Sequence, residues 1–327
     1  MNTAKPVFVL ALVAAAVLAG GAADAAIVYQ AQLIGNPGAD GVATTYGMGK
    51  YNVTISQYTA FLNATAATDT YSLYNPSMGT DLNVAGIARA GSPGSYTYSV
   101  IGSSGNHPVT YISWFDAARM ANWLHNGQPT GGQVAGVTET GAYTLNGATT
   151  GNTITTNSGA NYYIPSVAEW RKAAFYDPNH GGEWLYSTQT NTAPGNQVGN
   201  LPNQMNLTVA GKYSVTQSST YSSAQDYLTD VGAYTGSASY YGTYDQGGSV
   251  WNWTTNINST ARWQLGGSWG DTEQYARNNQ QGYGGPIFEF NTFGFRLATS
   301  AAVVPEPAAA GLLAIGLAAL AMRRRRA

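Results

Sequence analysis

The chain has 327 residues with a formal net charge of −2, and only 9% of them are charged against 40 Gly, 23 Tyr and no Cys. So few charges leave no basic patch, which excludes nucleic acid as a partner. The absence of Cys removes disulfides, thiolate metal sites and sulfur nucleophiles together.

Residues 1–25 read as Lys5, an apolar run, and small residues closing on Ala23-Asp24-Ala25. That layout predicts a secretory signal peptide cut by signal peptidase after Ala25, with the mature chain starting near Ala26. The apolar run is shorter than the roughly 20 residues that cross a bilayer. A single domain is expected over residues 26–300, since no linker or fixed-period repeat divides them. That body carries three Lys and six Arg against fourteen acids, a net charge of about −5. Its solubility must therefore come from neutral polar groups.

In chain order, residues 54–57 (TISQ) form a capping box that opens a helix with Ile55, Tyr58, Phe61 and Leu62 on one face, ending near Ala64. Ser113 and Asp116 start a second helix, with Phe115, Ala118, Ala121 and Leu124 at helical spacing until Gly127. Ser166 and Glu169 box the third, which buries Val167, Trp170 and Ala174 and is closed by Pro178. Residues 162–164, 249–253 and 293–298 read as short strands. Residues 127–160 and 187–225, rich in Gly, Thr, Asn and Ser, read as long loops or short hairpins.

Six strings fall in one order: YNVTISQY at 51–58, PVTYISW at 108–114, IPSVAEW at 164–170, YDQGGSVWNW at 244–253, LGGSW at 265–269 and GFRL at 294–297. Each is weak alone, but together they resemble the formylglycine-generating enzyme, or sulfatase-modifying factor, family. The resemblance runs from about Tyr46 to Ala298. It implies a single α+β domain of the C-type-lectin-like kind, low in regular secondary structure and often braced by calcium.

Fold does not deliver activity, which belongs to the site. The family's oxidases use a Cys pair whose first member follows the Gly-Gly-Ser-aromatic string, where this chain has Asp271. A carboxylate is a hard donor and does not replace thiolates in holding Cu(I). A second branch of the family binds non-haem iron through a His-rich set in an added helical domain. This chain has only His107, His125 and His180, with no i, i+4 pair. Neither copper nor iron is expected.

Calcium needs only oxygen ligands. By correspondence with the family, Asn206 and Asp226 would give side-chain oxygens at a first site, with Leu207 and Leu228 giving carbonyls. A second site would fall on Gly248, Val250 and Asn252, where Asn252 replaces the family's usual Glu. The alternative is that Asn206 and Asp226 cap turns.

Trp251, Trp253, Trp263 and Trp269, with Tyr240, Tyr241, Tyr244, Tyr275 and Tyr283, supply either core or a contact surface. The Trp residues, alternating with small or polar ones, are expected in the core. In relatives the segment between the GGSW and GFRL strings faces ligand, which makes Asn278, Asn279, Gln280, Gln281 and Tyr283 candidate contacts. A solvated loop is the other reading. Two functions follow: a non-catalytic binding or structural module with a polysaccharide or peptide ligand, or a divergent enzyme of the family using Asp271 or Glu273 with Arg277.

At the C-terminus, residues 301–327 hold Pro305-Glu306-Pro307, an apolar stretch, and the cluster Arg323, Arg324, Arg325 and Arg326. The order resembles the PEP-CTERM sorting signal. It implies transient inner-membrane insertion through the C-terminal helix, with the Arg cluster held inside. Removal of the tail by an exosortase would follow, in the envelope or exterior of a Gram-negative bacterium that makes extracellular polysaccharide.

Overall fold

The computed structural model describes residues 26–300. The expected cleavage residue Ala25 and the sorting residues Pro305, Glu306, Pro307, Arg323, Arg324, Arg325 and Arg326 lie outside the described residues.

The order is β1 (Ala31–Ile34), β2 (Tyr46–Gly49), α1 (Ile55–Thr65), α2 (Ser77–Thr80), β3 (Ile87–Ala90), β4 (Thr97–Val100), α3 (Trp114–His125) and β5 (Tyr162–Tyr163). Then follow α4 (Val167–Phe175), β6 (Tyr176–Asp177), β7 (Gly182–Glu183), β8 (Trp251–Asn258), β9 (Ala261–Leu265), β10 (Gly282–Gly284), β11 (Phe293–Gly294) and β12 (Ala298–Thr299). One sheet runs β1-β2-β12-β5 and another β10-β9-β8-β11, while β3-β4 and β6-β7 form separate pairs.

The three long helices begin where the capping boxes place them. Thr54, Ser113 and Ser166 each accept the N–H three residues on, and Gln57, Asp116 and Glu169 each reach back to the cap N–H. Two reciprocal bonds within four residues are a local instruction, independent of the rest of the fold. The ends are less local: α1 runs through Thr65, and α4 stops at Phe175, before Pro178, because Tyr176 and Asp177 pair with β7. Helix α3 is buried from Trp114 to Leu124 on every face, not along one stripe. Loop 127–160 covers its polar side. Asn122 Nδ2 donates to the carbonyls of Thr138 and Tyr143, and the Arg119 guanidinium grips Glu139 at 2.8 Å.

Residues 293–298 do not form one strand. Phe293–Gly294 pairs in parallel with β8, whereas Ala298–Thr299 inserts antiparallel between β2 and β5. The bend between them buries Arg296 at 0% exposure.

The main core gathers Tyr58, Phe61 and Leu62 of α1, Trp114 and Ala118 of α3, and Trp253, Phe295 and Leu297 from the C-terminal part. A smaller core packs Trp170, Ala173 and Ala174 of α4 against Tyr46, Met48 and Ala298. Long loops join these layers without disulfides, and amide side chains hold them. Asn196 Nδ2 bonds the carbonyls of Leu207 and Lys212, and Asn83 Nδ2 those of Ser222 and Gln225. Buried backbone carbonyls that find such donors lose little on leaving water. At Gly248 (φ +75°) the chain crosses so close to residue 206 that a Cβ would sit 2.2 Å from the Asn206 carbonyl oxygen.

Candidate functional site

The turn after β9, residues 267–271, brings Asp271 to Trp251 at the start of β8. Asp271 Oδ2 accepts from the Ser268 amide at 2.9 Å, the Ser268 hydroxyl at 2.6 Å and Trp251 Nε1 at 2.9 Å. Its main-chain carbonyl accepts from Thr208. The carboxylate thus closes its own turn and fixes an indole.

Glu273 and Arg277 pair at i, i+4 across 3.4 Å, and Arg277 Nε donates to the Tyr186 hydroxyl at 3.0 Å. Asn278 donates to Glu183 at 3.1 Å, while the Gln280 amide closes a turn on the Arg277 carbonyl. These bonds hold the loop down on β7. Asn279 and Gln281 face solvent. The loop then becomes edge strand β10, with Tyr283 opposite Trp263 and standing 66% exposed. Gly282 fits closely there, since a Cβ would meet the Trp251 ring at about 3.0 Å and the ring would have to shift. Trp251, Trp253 and Trp269 are buried as core, while Trp263 is half-buried under Tyr283, edge to face with ring centres 5.9 Å apart.

Beyond β10, residues 286–290 form a feature that the sequence did not flag. Ile287, Phe288 and Phe290 are about half exposed, and Glu289 between the two Phe turns the other way. It enters a recess of about 280 Å³ shared with Tyr71, Ser113, Asp116, Arg119 and Ile287. Burial, then the nearby charge of Glu289, pushes the Asp116 carboxyl well above the usual carboxylate range. Burial raises Glu289 as well. The alternation Phe288-Glu289-Phe290 was the available signal, since period-2 spacing sends the acid and the rings to opposite sides.

Of the oxygens expected at a first calcium site, Leu207 O already accepts from Asn196, and Asp226 Oδ1 from the Leu228 amide at 2.8 Å. Asp226 Oδ2 lies 3.2 Å from His107 Nδ1, and Asn206 Nδ2 donates to the Tyr227 carbonyl. These are hard donors with lone pairs to spare, so the set is chemically compatible with calcium. The second set does not fit. Asn252 Oδ1 accepts from Arg296 Nε at 2.8 Å and Trp170 Nε1 at 3.0 Å, and its Nδ2 donates to Val250 O. Two protein donors, one of them a buried guanidinium, thus take the side-chain oxygen that Asn252 would offer. Among the described residues, no three His, Cys, Asp or Glu side chains cluster as a metal site. His125 accepts the Asn161 amide, His180 stacks on Trp184, and His107 lies between Asp226 and Asp230.

Residues 11–301 match the sulfatase-modifying factor enzyme 1-like domain. The chain belongs to that family. This sulfatase-modifying-factor-like domain is an α+β, formylglycine-generating-enzyme-like (C-type-lectin-like) fold, with the few short helices and strands described above. Residues 303–326 match the PEP-CTERM protein-sorting motif, which marks an exported, envelope-associated protein directed to an exosortase. No curated protein matches the chain. Similar solved structures include CarF (20% identity, 79% of this chain and 88% of that one, TM-score 0.48). Others are variable protein 1 of Treponema denticola (18%, 84% and 94%, 0.46) and PvdO from Pseudomonas aeruginosa (16%, 84% and 92%, 0.45).

Proposed function

We propose that this exported domain is a non-catalytic binding or structural module whose ligand face is the aromatic edge formed by β10 and the segment after it. The observation that carries the reading is the contrast between Asp271 and Tyr283. The residue at the family's first Cys position spends its carboxylate on Ser268 and Trp251, while the exposed ring of Tyr283 stands beside Ile287, Phe288 and Phe290 in sequence and in the open. Amphipathic rings at the surface give contact area at low entropic cost. A saccharide of the extracellular polysaccharide or an extended peptide suits such a face.

In this reading signal peptidase cuts after Ala25 and an exosortase acts at Pro305-Glu306-Pro307 during transient inner-membrane insertion. The mature domain then works outside a Gram-negative cell, with one calcium at Asn206, Leu207, Asp226 and Leu228. Glycan and peptide arrays probed with the purified protein and with Tyr283→Ala and Phe288→Ala test it. Binding lost in both variants is expected, and binding unchanged in both removes the site.

A second reading, a divergent enzyme of the family, is favoured by the Asp116–Glu289 recess, which holds two carboxyls of raised proton affinity. Asp116 and Glu289 are bonded to Ser113 and Asn75, as Asp271 is to Ser268 and Trp251, so what sets the recess above Asp271 or Glu273 with Arg277 is its open space of about 280 Å³. Dioxygen-dependent turnover by the purified protein would move the balance to that reading.

A further inference from the structure

The Asp116–Glu289 recess holds two acids that each keep one oxygen free. Asp116 is 2% exposed, and the Ser113 amide and hydroxyl both donate to its Oδ2, at 2.8 and 2.6 Å. Its Oδ1 accepts from no group among the described residues. The polar atoms that lack a partner and are sealed from solvent lie on other residues. Asp116 Oδ1 therefore keeps accessible surface, and the recess is the space that Asp116 lines. Glu289 repeats the pattern: Oε2 accepts from Asn75 at 2.5 Å, while Oε1 has no donor among the described residues.

The cations nearby are already committed. Arg119 lines the recess but grips Glu139 in a fork, Nε to Oε1 at 2.8 Å and Nη2 to Oε2 at 3.1 Å, and its Nη1 is sealed from solvent. Arg89, on the far side of Ser72 and Glu289, pairs with Asp69 at 3.4 Å and lies against the Tyr74 and Tyr96 rings. Burial, then the charge of Glu289, raises Asp116, and burial with the added charge of Asp69 raises Glu289. Both acids thus face open space without a positive partner.

The free oxygens select the occupant. A guanidinium binds best to both oxygens of one carboxylate, and neither acid offers two. A calcium ion takes about six to eight oxygens, and no third acid or His joins these two as a metal site among the described residues. An ammonium has three diverging donors, which suit two single carboxyl oxygens and a hydroxyl such as that of Ser72 or Thr149. Polarity also changes with depth: Asp116 is almost fully buried, whereas Ile287 in the same lining is about half exposed. A charged head on a methylene stem follows that order, while an amino sugar would set hydroxyls against Ile287. The volume of about 280 Å³, at the small end for ligand pockets, suits one side chain.

We propose that this recess takes the primary ammonium of a lysine side chain, held between Asp116 Oδ1 and Glu289 Oε1. The proposal needs no reaction in the recess and does not rest on the aromatic edge being a ligand face.

The test is a titration of the purified protein with Nα-acetyl-lysine methylamide, its Nε-acetylated form, the arginine equivalent, glucosamine and calcium. Saturation-transfer NMR and calorimetry read the binding. The lysine compound should bind, and the Nε-acetylated form, which keeps the stem and loses the charge, should not. An arriving cation must displace protons from acids of raised proton affinity. The heat should therefore vary with the protonation enthalpy of the buffer, and affinity should rise between about pH 5 and about pH 8, where the ammonium stays charged. Asp116→Asn and Glu289→Gln keep an acceptor for Ser113 and for Asn75 but put an NH2 in place of the free oxygen. Each should weaken binding about tenfold or more, and Glu289→Gln, at a half-buried position, decides the matter if Asp116→Asn melts early. The proposal is overturned if the lysine compound does not bind, if the Nε-acetylated form binds as well, if arginine, glucosamine or calcium binds in its place, or if both variants bind like the parent.

Discussion

Arg296 donates from Nε to Asn252 Oδ1 at 2.8 Å, joining the bend between β11 and β12 to the central strand β8. The same guanidinium reaches Asn52 Oδ1 and the carbonyls of Gly49 and Tyr244, so a fully buried cation is satisfied without a carboxylate in direct contact. Burial pulls its pKa down to about 10, which still leaves it charged at neutral pH. Arg296→Leu removes a donor from four acceptors in three stretches of the chain, at Gly49 and Asn52, at Tyr244 and at Asn252. A loss of about 3–5 kcal/mol in urea unfolding is expected, and Arg296→Lys, without the planar fork, should recover only part of it.

Asp271→Ala frees the Ser268 amide and hydroxyl and the Trp251 indole together. About 1–3 kcal/mol of stability should be lost, and the Trp251 Nε1–H resonance should move and exchange faster with solvent. A change in neither would show that the carboxylate does not hold this turn.

Gly248→Ala adds a Cβ where residue 206 leaves no room, on a backbone with positive φ. Since the collision is with a main-chain oxygen, no rotamer relieves it. Destabilisation of about 3 kcal/mol or more is expected by chemical denaturation. Gly38→Ala, also at positive φ but in open space, should cost clearly less.

Asp245 is raised to about 6, mainly by burial, against the opposing pull of the Gly232 amide and Arg296. An acid whose folded pKa lies above its unfolded value binds more protons in the native state between the two. Its contribution is therefore most favourable below about pH 4 and is lost as pH rises through about 6. Asp245→Asn keeps an acceptor for Gly232 and removes the titration. Relative to the parent, its unfolding free energy should gain on the order of 2 kcal/mol between pH 4 and 7.

Calcium added to chelator-treated protein should raise the melting temperature if Asn206 and Asp226 hold an ion, and Asp226→Ala should cancel the rise. No calcium-dependent shift in the parent would reduce these residues to turn caps.

What the amino-acid sequence determined by itself is what is local or ordered along the chain. The helix starts at Thr54, Ser113 and Ser166 are written within four residues each, and the six strings and the terminal Pro-Glu-Pro, apolar and Arg order carry the family and the sorting motif. Tertiary structure alone decided whatever depends on partners far away in sequence. It split residues 293–298 between two sheets, because Ala298 pairs with both β2 and β5 while β8 takes Phe293. It gave Asn252 to Arg296, 44 residues on, and it turned Asp271 toward Trp251. A polar side chain satisfies whichever donor the fold brings near, and with so few charges the long-range pairings here fall to neutral amides, whose partners no spacing rule specifies.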